Sequence, residues 1–281
     1  MSGVRPRPLL RYHGGKWKLA SWIISHFPEH RVFVEPFGGG GSVLLRKTRS
    51  YGEVYNDLSR ELVNLFTVAR DRGDELARAL ELTPFSRIEF HLSYESSDDE
   101  LEQARRTVVR CFQGFGSDSF GSVSGFRANC NRAGTTPAQD WAGFPSALMR
   151  TIERLQGVVI ECKDALDCMS AHDTPETLHY VDPPYVHRTR TKKKVYEYEM
   201  DDRQHVELIE FLKTLKGDVV LSGYSNDIYA DHLSDWNMYH KDSFADGARP
   251  RTECIWTNFE SSYPKITSWF DLPDRTEEAT S

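Results

Sequence analysis

Apolar residues along this chain alternate between two rhythms. Short runs rich in β-branched and aromatic residues stand at Arg31–Glu35 (RVFVE), Glu53–Asp57 (EVYND), Val158–Cys162, Leu178–Asp182, Asp218–Ser222 and Glu253–Asn258, and each reads as a strand. Between them, apolar positions at helical spacing predict helices over Leu58–Arg72, Asp98–Phe112, Phe144–Gln156 and Asp202–Lys216, and SVLLRK from Ser42 also reads as helical. Strands alternating with helices imply an α/β fold with a mostly parallel sheet covered on both faces. No internal repeat interrupts that rhythm. No run of eighteen apolar residues suggests a membrane span.

One region has a different texture. From Pro84 to Gln156 the strand rhythm stops, and Gly114–Gly143 is rich in Gly, Ser, Asn and Thr with Phe and Arg interspersed. A segment of that length without periodicity is functional or disordered more often than it is a plain connection. The expected division is a discontinuous main domain, 1–83 and 157–270, an insert at 84–156 and a disordered acidic tail at 271–281.

Composition narrows the class without choosing a function. With 281 residues, 39% of them hydrophobic and 27% charged, the chain suits one large globular domain. Its net charge of −7 argues against a globally basic nucleic-acid binder. The cations are nonetheless clustered: Arg188, Arg190, Lys192, Lys193 and Lys194 lie within seven residues. The five cysteines include no CxxC pair, so reduced thiols in a cytoplasmic protein are expected and a metal is not. The N-terminus lacks the apolar stretch of a secretory signal.

Three short motifs carry the candidate chemistry. Gly38, Gly39, Gly40 and Gly41 follow the first strand, at the turn where a doubly wound sheet brings backbone close to a cofactor. A third glycine at dinucleotide spacing is missing, which leaves a nucleoside cofactor or a flexible loop. Asp57 closes the next strand, where a carboxylate can accept both ribose hydroxyls. Lys16, after two glycines in RYHGGKWK, is either a surface lysine or a cation for the carboxylate of an amino-acid-bearing cofactor. An adenosine that carries an amino acid and no phosphate is S-adenosylmethionine.

The third motif is Asp182-Pro183-Pro184-Tyr185, directly after a strand. By chance this tetrapeptide occurs in about one chain of this size in a thousand. The exocyclic amine of an aromatic base is a poor nucleophile because its lone pair is delocalised into the ring. The Asp182 carboxylate and the Pro183 carbonyl can accept its two hydrogens and draw the nitrogen toward tetrahedral geometry. The prolines hold both acceptors on one atom, and Tyr185 offers a face for stacking the base.

Taken in order, YHGGK, VEPFGGGGSVLL, YNDLSREL and YVDPPY resemble the Dam-type (D12 class) family of N6-adenine-specific DNA methyltransferases, from Leu10 to about Phe259. The resemblance implies a Rossmann-like methyltransferase fold with a seven-stranded sheet, S-adenosylmethionine as methyl donor and double-stranded DNA as substrate. It implies that Tyr12 and Lys16 help hold the cofactor, that Phe37 and the four glycines line its pocket, that Asp57 takes its ribose and Asp164 its adenine, and that Asp182 to Tyr185 carry the transfer. The 84–156 insert would read sequence, with GATC as the family-based site. Four consecutive glycines replace the commoner F-x-G-x-G form.

The same reading gives the remaining polar residues work. A base inside a duplex must be flipped out before its amine can react, and the cations at 188–194 after the turn can hold its phosphates or form a solvated charge run. In the insert, Arg127, Asn129, Asn131 and Arg132 are candidate base-edge readers, since Arg and Asn pair bidentately with guanine and adenine. Phe115, Phe120 and Phe126 either pack the insert or wedge into DNA. Competing readings are an N4-cytosine methyltransferase, an RNA or protein methyltransferase, a dinucleotide oxidoreductase and a non-catalytic DNA-binding module.

Overall fold

The computed structural model describes residues 8–12, 14–116, 124–129, 134–186, 198–244 and 250–261. Seven strands form one sheet: β1 (Val32–Glu35), β2 (Gly52–Asn56), β3 (Val159–Glu161), β4 (Thr177–Val181), β5 (Asp218–Gly223), β6 (Asn237–Phe244) and β7 (Pro250–Thr257). Their spatial order is β3-β2-β1-β4-β5-β7-β6. The pairs within β3-β2-β1-β4-β5 are parallel, and β7 runs antiparallel to both β5 and β6. The central strand β4 is buried at all five positions, polar Thr177 and His179 included, as a parallel strand covered on both faces should be.

Side chains alternate between the faces of the sheet with a period of two. Phe33, Tyr55, Leu178 and Tyr180 point into one core with α1 (Ala20–Ile24), α2 (Arg60–Asp71), α3 (Gly73–Glu81), α5 (Glu100–Gln113) and α7 (Phe144–Leu155). Val181, Val219 and Leu221 face the other way, against α8 (Ala165–His172), α9 (Asp202–Leu212) and α10 (Asp227–His232). The short helices α4 (Arg87–Leu92) and α6 (Pro137–Ala142) complete the set among the described residues. Helices α5 and α7 lie inside the expected insert, yet they pack on α2 and α3 within the first core.

Two segments differ from the sequence reading. SVLLRK does not form a regular helix but a run of turns. Leu45 and Lys47 still donate their N–H groups to the Gly41 and Val43 carbonyls, but at Leu44 the N–H donates to the Glu35 carboxylate at 3.0 Å and the carbonyl accepts from Arg154 at 2.7 Å. The seventh strand, β6, carries no clear strand pattern because it is a sheet edge. It pairs only with β7 and presents Lys241 and Asp242, charges that keep an edge from recruiting another chain.

Fully buried Asn56 ties the carboxyl ends of three strands together. Its amide donates to the carbonyls of Pro36 at 2.9 Å and Lys163 at 3.0 Å, and its oxygen accepts the Lys163 N–H at 3.0 Å. Beside it, Arg154 on α7 makes two hydrogen bonds to Glu53 on β2, and Lys47 donates to the same carboxylate at 2.7 Å. Replacing Asn56 with Ala strands three backbone groups, so Asn56→Ala is expected to cost about 3 kcal/mol in urea unfolding, and a loss below about 1 kcal/mol would contradict this role.

Candidate functional site

Between β1 and β4 the chain's connections leave in opposite directions, so a crevice opens at their carboxyl ends. The glycine turn follows β1 and the Asp-Pro-Pro-Tyr turn follows β4, which places the two motifs side by side. A cavity of about 490 Å³ opens there, lined by Tyr12, Phe37, Gly39, Asp57, Asp164 and Asp182 among others. A smaller recess continues from it between Lys16, Glu35, Gly38, Gly40, Asp182 and Pro183.

The glycine turn is shaped by close contacts. A Cβ on Gly38 would lie 2.2 Å from the ring of Tyr55, and Gly41 has a φ of +60° with Phe66 2.9 Å from where its Cβ would fall. Tyr55 and Phe66 are themselves stacked at 4.0 Å and fully buried, so neither ring can yield. The ring of Tyr12 lies against Gly39 and Gly40. The Gly39 N–H donates to Asp57 Oδ2 at 2.8 Å, and the Ser59 N–H donates to Asp57 Oδ1 at 2.8 Å, which fixes the carboxylate at the cavity wall. Asp164 caps α8 through the Leu166 N–H at 2.8 Å and lines the same cavity.

These residues fit a nucleoside bearing an amino acid. Of the acids lining the cavity, Asp57 and Asp164, beside the apolar walls of Phe37, Leu166, Met200 and Leu208, suit hydroxyls and an amine around a flat ring. The glycine cradle, which side chains would fill, leaves room for a ligand to lie on backbone.

The catalytic turn is held differently from the sequence expectation in two respects. Lys16 Nζ pairs with Asp182 Oδ2 at 2.9 Å, donates to the Gly14 carbonyl at 2.8 Å and lies 4.6 Å from the centre of the Tyr185 ring. It therefore belongs to the Asp-Pro-Pro-Tyr turn as much as to the glycine turn. Tyr185 is buried, with Tyr224 edge-on at 4.6 Å and its hydroxyl donating to Glu253 Oε2 at 2.9 Å. Its ring is covered by the Lys16 side chain rather than open for stacking. Pro183 lines the recess and Pro184 the larger cavity. The other Asp182 oxygen, Oδ1, is buried without a hydrogen bond of ordinary geometry, with the Ser222 hydroxyl also turned toward this carboxylate; it is the kind of acceptor that a ligand amine would satisfy.

Burial raises the Asp182 carboxyl above the ordinary carboxylate range; Lys16 opposes the rise and Glu253 adds to it. Glu35, at the end of β1, was not singled out from sequence. Burial pushes its carboxyl up to about 8, with its Leu44 hydrogen bond opposing and the Asp182 charge adding. Asn56, Ser222 and Glu253 were also missed. An acid at the end of an apolar run, closing it at Glu35 and opening it at Glu253, was the available signal for those two.

In the insert, Arg127 donates a side-chain N–H to the Phe112 carbonyl at 3.1 Å, and its backbone N–H donates to Gln113 at 2.8 Å. Asn129 is exposed on the same arm. Phe126 packs against Phe85 and Phe90, whereas Phe115 is 73% exposed. Asn131, Arg132, Phe120, Arg188, Arg190, Lys192, Lys193 and Lys194 lie outside the described residues. Among the described residues, Glu161, Cys168 and His172 form one group of metal-ligating types. Lys163 pairs with Glu161 at 2.6 Å, so the carboxylate already has a counter-charge. No helix among the described residues is long and apolar enough to cross a membrane.

Because folded Glu35 keeps a proton that the unfolded chain releases near 4.5, its contribution to stability is full below that pH and is lost as pH rises to about 8. Glu35→Gln removes this dependence. Melting temperatures measured from pH 5 to 9 are expected to diverge in favour of the Gln variant toward alkaline pH, and parallel curves would refute the assignment.

Comparison with known proteins agrees with this geometry. The chain is 28% identical over 186 residues to the DNA adenine methylase of Escherichia coli (strain K12), covering 64% of this chain and 65% of that protein. It is 27% identical over 187 residues to the DNA adenine methylase of Salmonella typhi, with the same coverage. The match thus spans about 65% of the length of these bacterial relatives. It is 22% identical over 242 residues to the Type II methyltransferase M.MjaIII of Methanocaldococcus jannaschii, covering 74% of this chain and 80% of that one. The family model for D12 class N6 adenine-specific DNA methyltransferases, which use S-adenosylmethionine, matches residues 12–245. That match takes in the glycine turn, both cavity carboxylates and the Asp-Pro-Pro-Tyr turn, and the chain belongs to this family.

Proposed function

We propose that this protein methylates the N6 amine of adenine in double-stranded DNA, with S-adenosylmethionine as methyl donor. The observation that carries the reading is the Asp182 carboxylate, set between the glycine-turn cavity and the recess, with one buried oxygen lacking a hydrogen bond of ordinary geometry. Asp57 and Asp164 would hold the ribose and adenine of the cofactor, Phe37 and Tyr12 would pack on it, and Gly38 to Gly41 would carry it on backbone. When bound, S-adenosylmethionine supplies an electrophilic methyl on a sulfonium that departs neutral.

The chain's own part is to prepare the amine. Asp182 Oδ1 and the Pro183 carbonyl accept its two N–H bonds, which localises the lone pair on nitrogen. The two prolines keep both acceptors converged on one atom, and the Asp182 carboxylate can take the proton that the methylated amine sheds. Lys16 now donates to Asp182 where a flipped base would approach, so it shifts aside as the base enters. Tyr185 then offers its uncovered ring to the base.

Sequence recognition falls to the 84–156 segment, with Arg127, Asn129, Asn131 and Arg132 as base readers and GATC as the site. The cations at 188, 190 and 192–194 hold the phosphates beside the flipped nucleotide. An N4-cytosine acceptor uses the same chemistry; the aspartate that opens the turn favours adenine.

Three experiments test the reading. Incubation with tritiated S-adenosylmethionine and unmethylated duplex DNA, followed by nucleoside analysis, should yield N6-methyladenine that maps to GATC. N4-methylcytosine, or N6-methyladenine at other sites, would overturn the acceptor or the site respectively. Asp182→Ala should abolish turnover without loss of fold. Converting Lys192, Lys193 and Lys194 together to Ala should reduce the salt dependence of DNA binding by up to about three phosphates' worth; an unchanged slope would remove those lysines from the interface.

A further inference from the structure

The reversed strand β7 brings an acid to the active edge of the sheet. Because β7 is antiparallel, it enters the sheet at the end where β4 and β5 finish. Cys254 pairs with Gly223, the last residue of β5, and Glu253 lies one residue farther out, paired in register only with Lys241 of β6. Its side chain is only 8% exposed. A carboxylate in such a place costs free energy unless it is compensated, and a well-packed apolar residue would serve stability at least as well.

The compensating group is the hydroxyl of Tyr185, which donates to Glu253 Oε2 at 2.9 Å and lies 3.3 Å from Ser222 Oγ. Burial, with Asp182 and Glu253 adding, pushes the Tyr185 hydroxyl well above its ordinary range, so it stays a phenol and keeps its proton for this bond. A tyrosine ring turns about two bonds and is anchored here at its far end. With Tyr224 against its edge, the ring has one orientation open to it. The face it presents lies beside Asp182, because Lys16 bridges the two.

We infer that Glu253 is a positioning residue for methyl transfer, acting through the Tyr185 hydroxyl to set the ring on which the acceptor base is held. This rests on the function proposed above. Removing the acceptor should leave the cofactor cavity intact, since Glu253 does not line it, and should loosen the ring that aligns the amine. The effect belongs in kcat, with little change in KM for S-adenosylmethionine.

The test compares wild type, Glu253→Gln, Glu253→Met, Tyr185→Phe and the Tyr185→Phe/Glu253→Met double variant, each in steady-state methylation of duplex DNA alongside thermal unfolding. Glu253→Met is expected to lower kcat by about tenfold, the worth of one charge-assisted hydrogen bond. Gln, which still accepts from the phenol, should recover most of that loss. In the Tyr185→Phe background, Glu253→Met should cost nothing more. Wild-type kcat in Glu253→Met, a Gln variant as slow as Met, or losses that multiply in the double variant would each overturn the inference. If Glu253→Met fails to fold, Tyr185→Phe decides: it removes the donor without a cavity, and normal turnover there overturns the inference. A wild type that transfers no methyl to DNA would instead bring down the proposed function, and this inference with it.

Discussion

Everything at this site depends on one topological constraint, the reversal of chain direction between β1 and β4. Parallel neighbours whose connections both left on one side would cover their own carboxyl ends. Here β1 leads outward to β2 and β3, and β4 leads the other way to β5, so the crevice between them stays open. The two turns that border it are the least regular backbone of the sheet's carboxyl edge, and both are stiffened by devices local to them. Gly38 and Gly41 are pinned by the stacked rings of Tyr55 and Phe66, and the catalytic turn is stiffened by two prolines. Both motif turns are therefore stiff elements bordering the crevice.

The crevice concentrates charge that burial would otherwise make costly, and the chain balances it group by group. Asp57 is held by two backbone N–H groups, Asp182 by Lys16, and Glu253 by a phenol. Glu35 is balanced by keeping its proton, since its carboxyl is pushed up to about 8. Each acid thus has a different solution, and of these four, Asp182 alone has a buried oxygen without a hydrogen bond of ordinary geometry.

Much of the fold was legible in the chain because short β-rich runs alternate with stretches of helical spacing. The edge strand β6 was not, since charges such as Lys241 and Asp242 erase its alternation. The stretch after the glycines looks helical by composition, but at its centre the N–H and carbonyl of Leu44 are claimed by Glu35 and Arg154, which lie 9 and 110 residues away. Local motifs singled out Asp57 and Asp182 because each ends a strand, whereas Asp164 came from the family resemblance alone. Sequence could not show that Lys16 would reach Asp182, nor that an acid on β7 would hold Tyr185, because those pairings depend on how the sheet is ordered. The insert also reads as separate from the rest, yet Trp141, Phe144 and Leu148 complete the core under α2.

The central claim is that the cavity at this switch point holds S-adenosylmethionine, with Asp57 as its ribose anchor. Isothermal titration of the protein with S-adenosylmethionine tests it most directly, carried out on wild type and on Asp57→Ala. The account predicts one site per chain in the wild type and an affinity at least about tenfold weaker once the carboxylate that would accept the ribose hydroxyls is gone. Binding that is absent in wild type, or unchanged in Asp57→Ala, would contradict it.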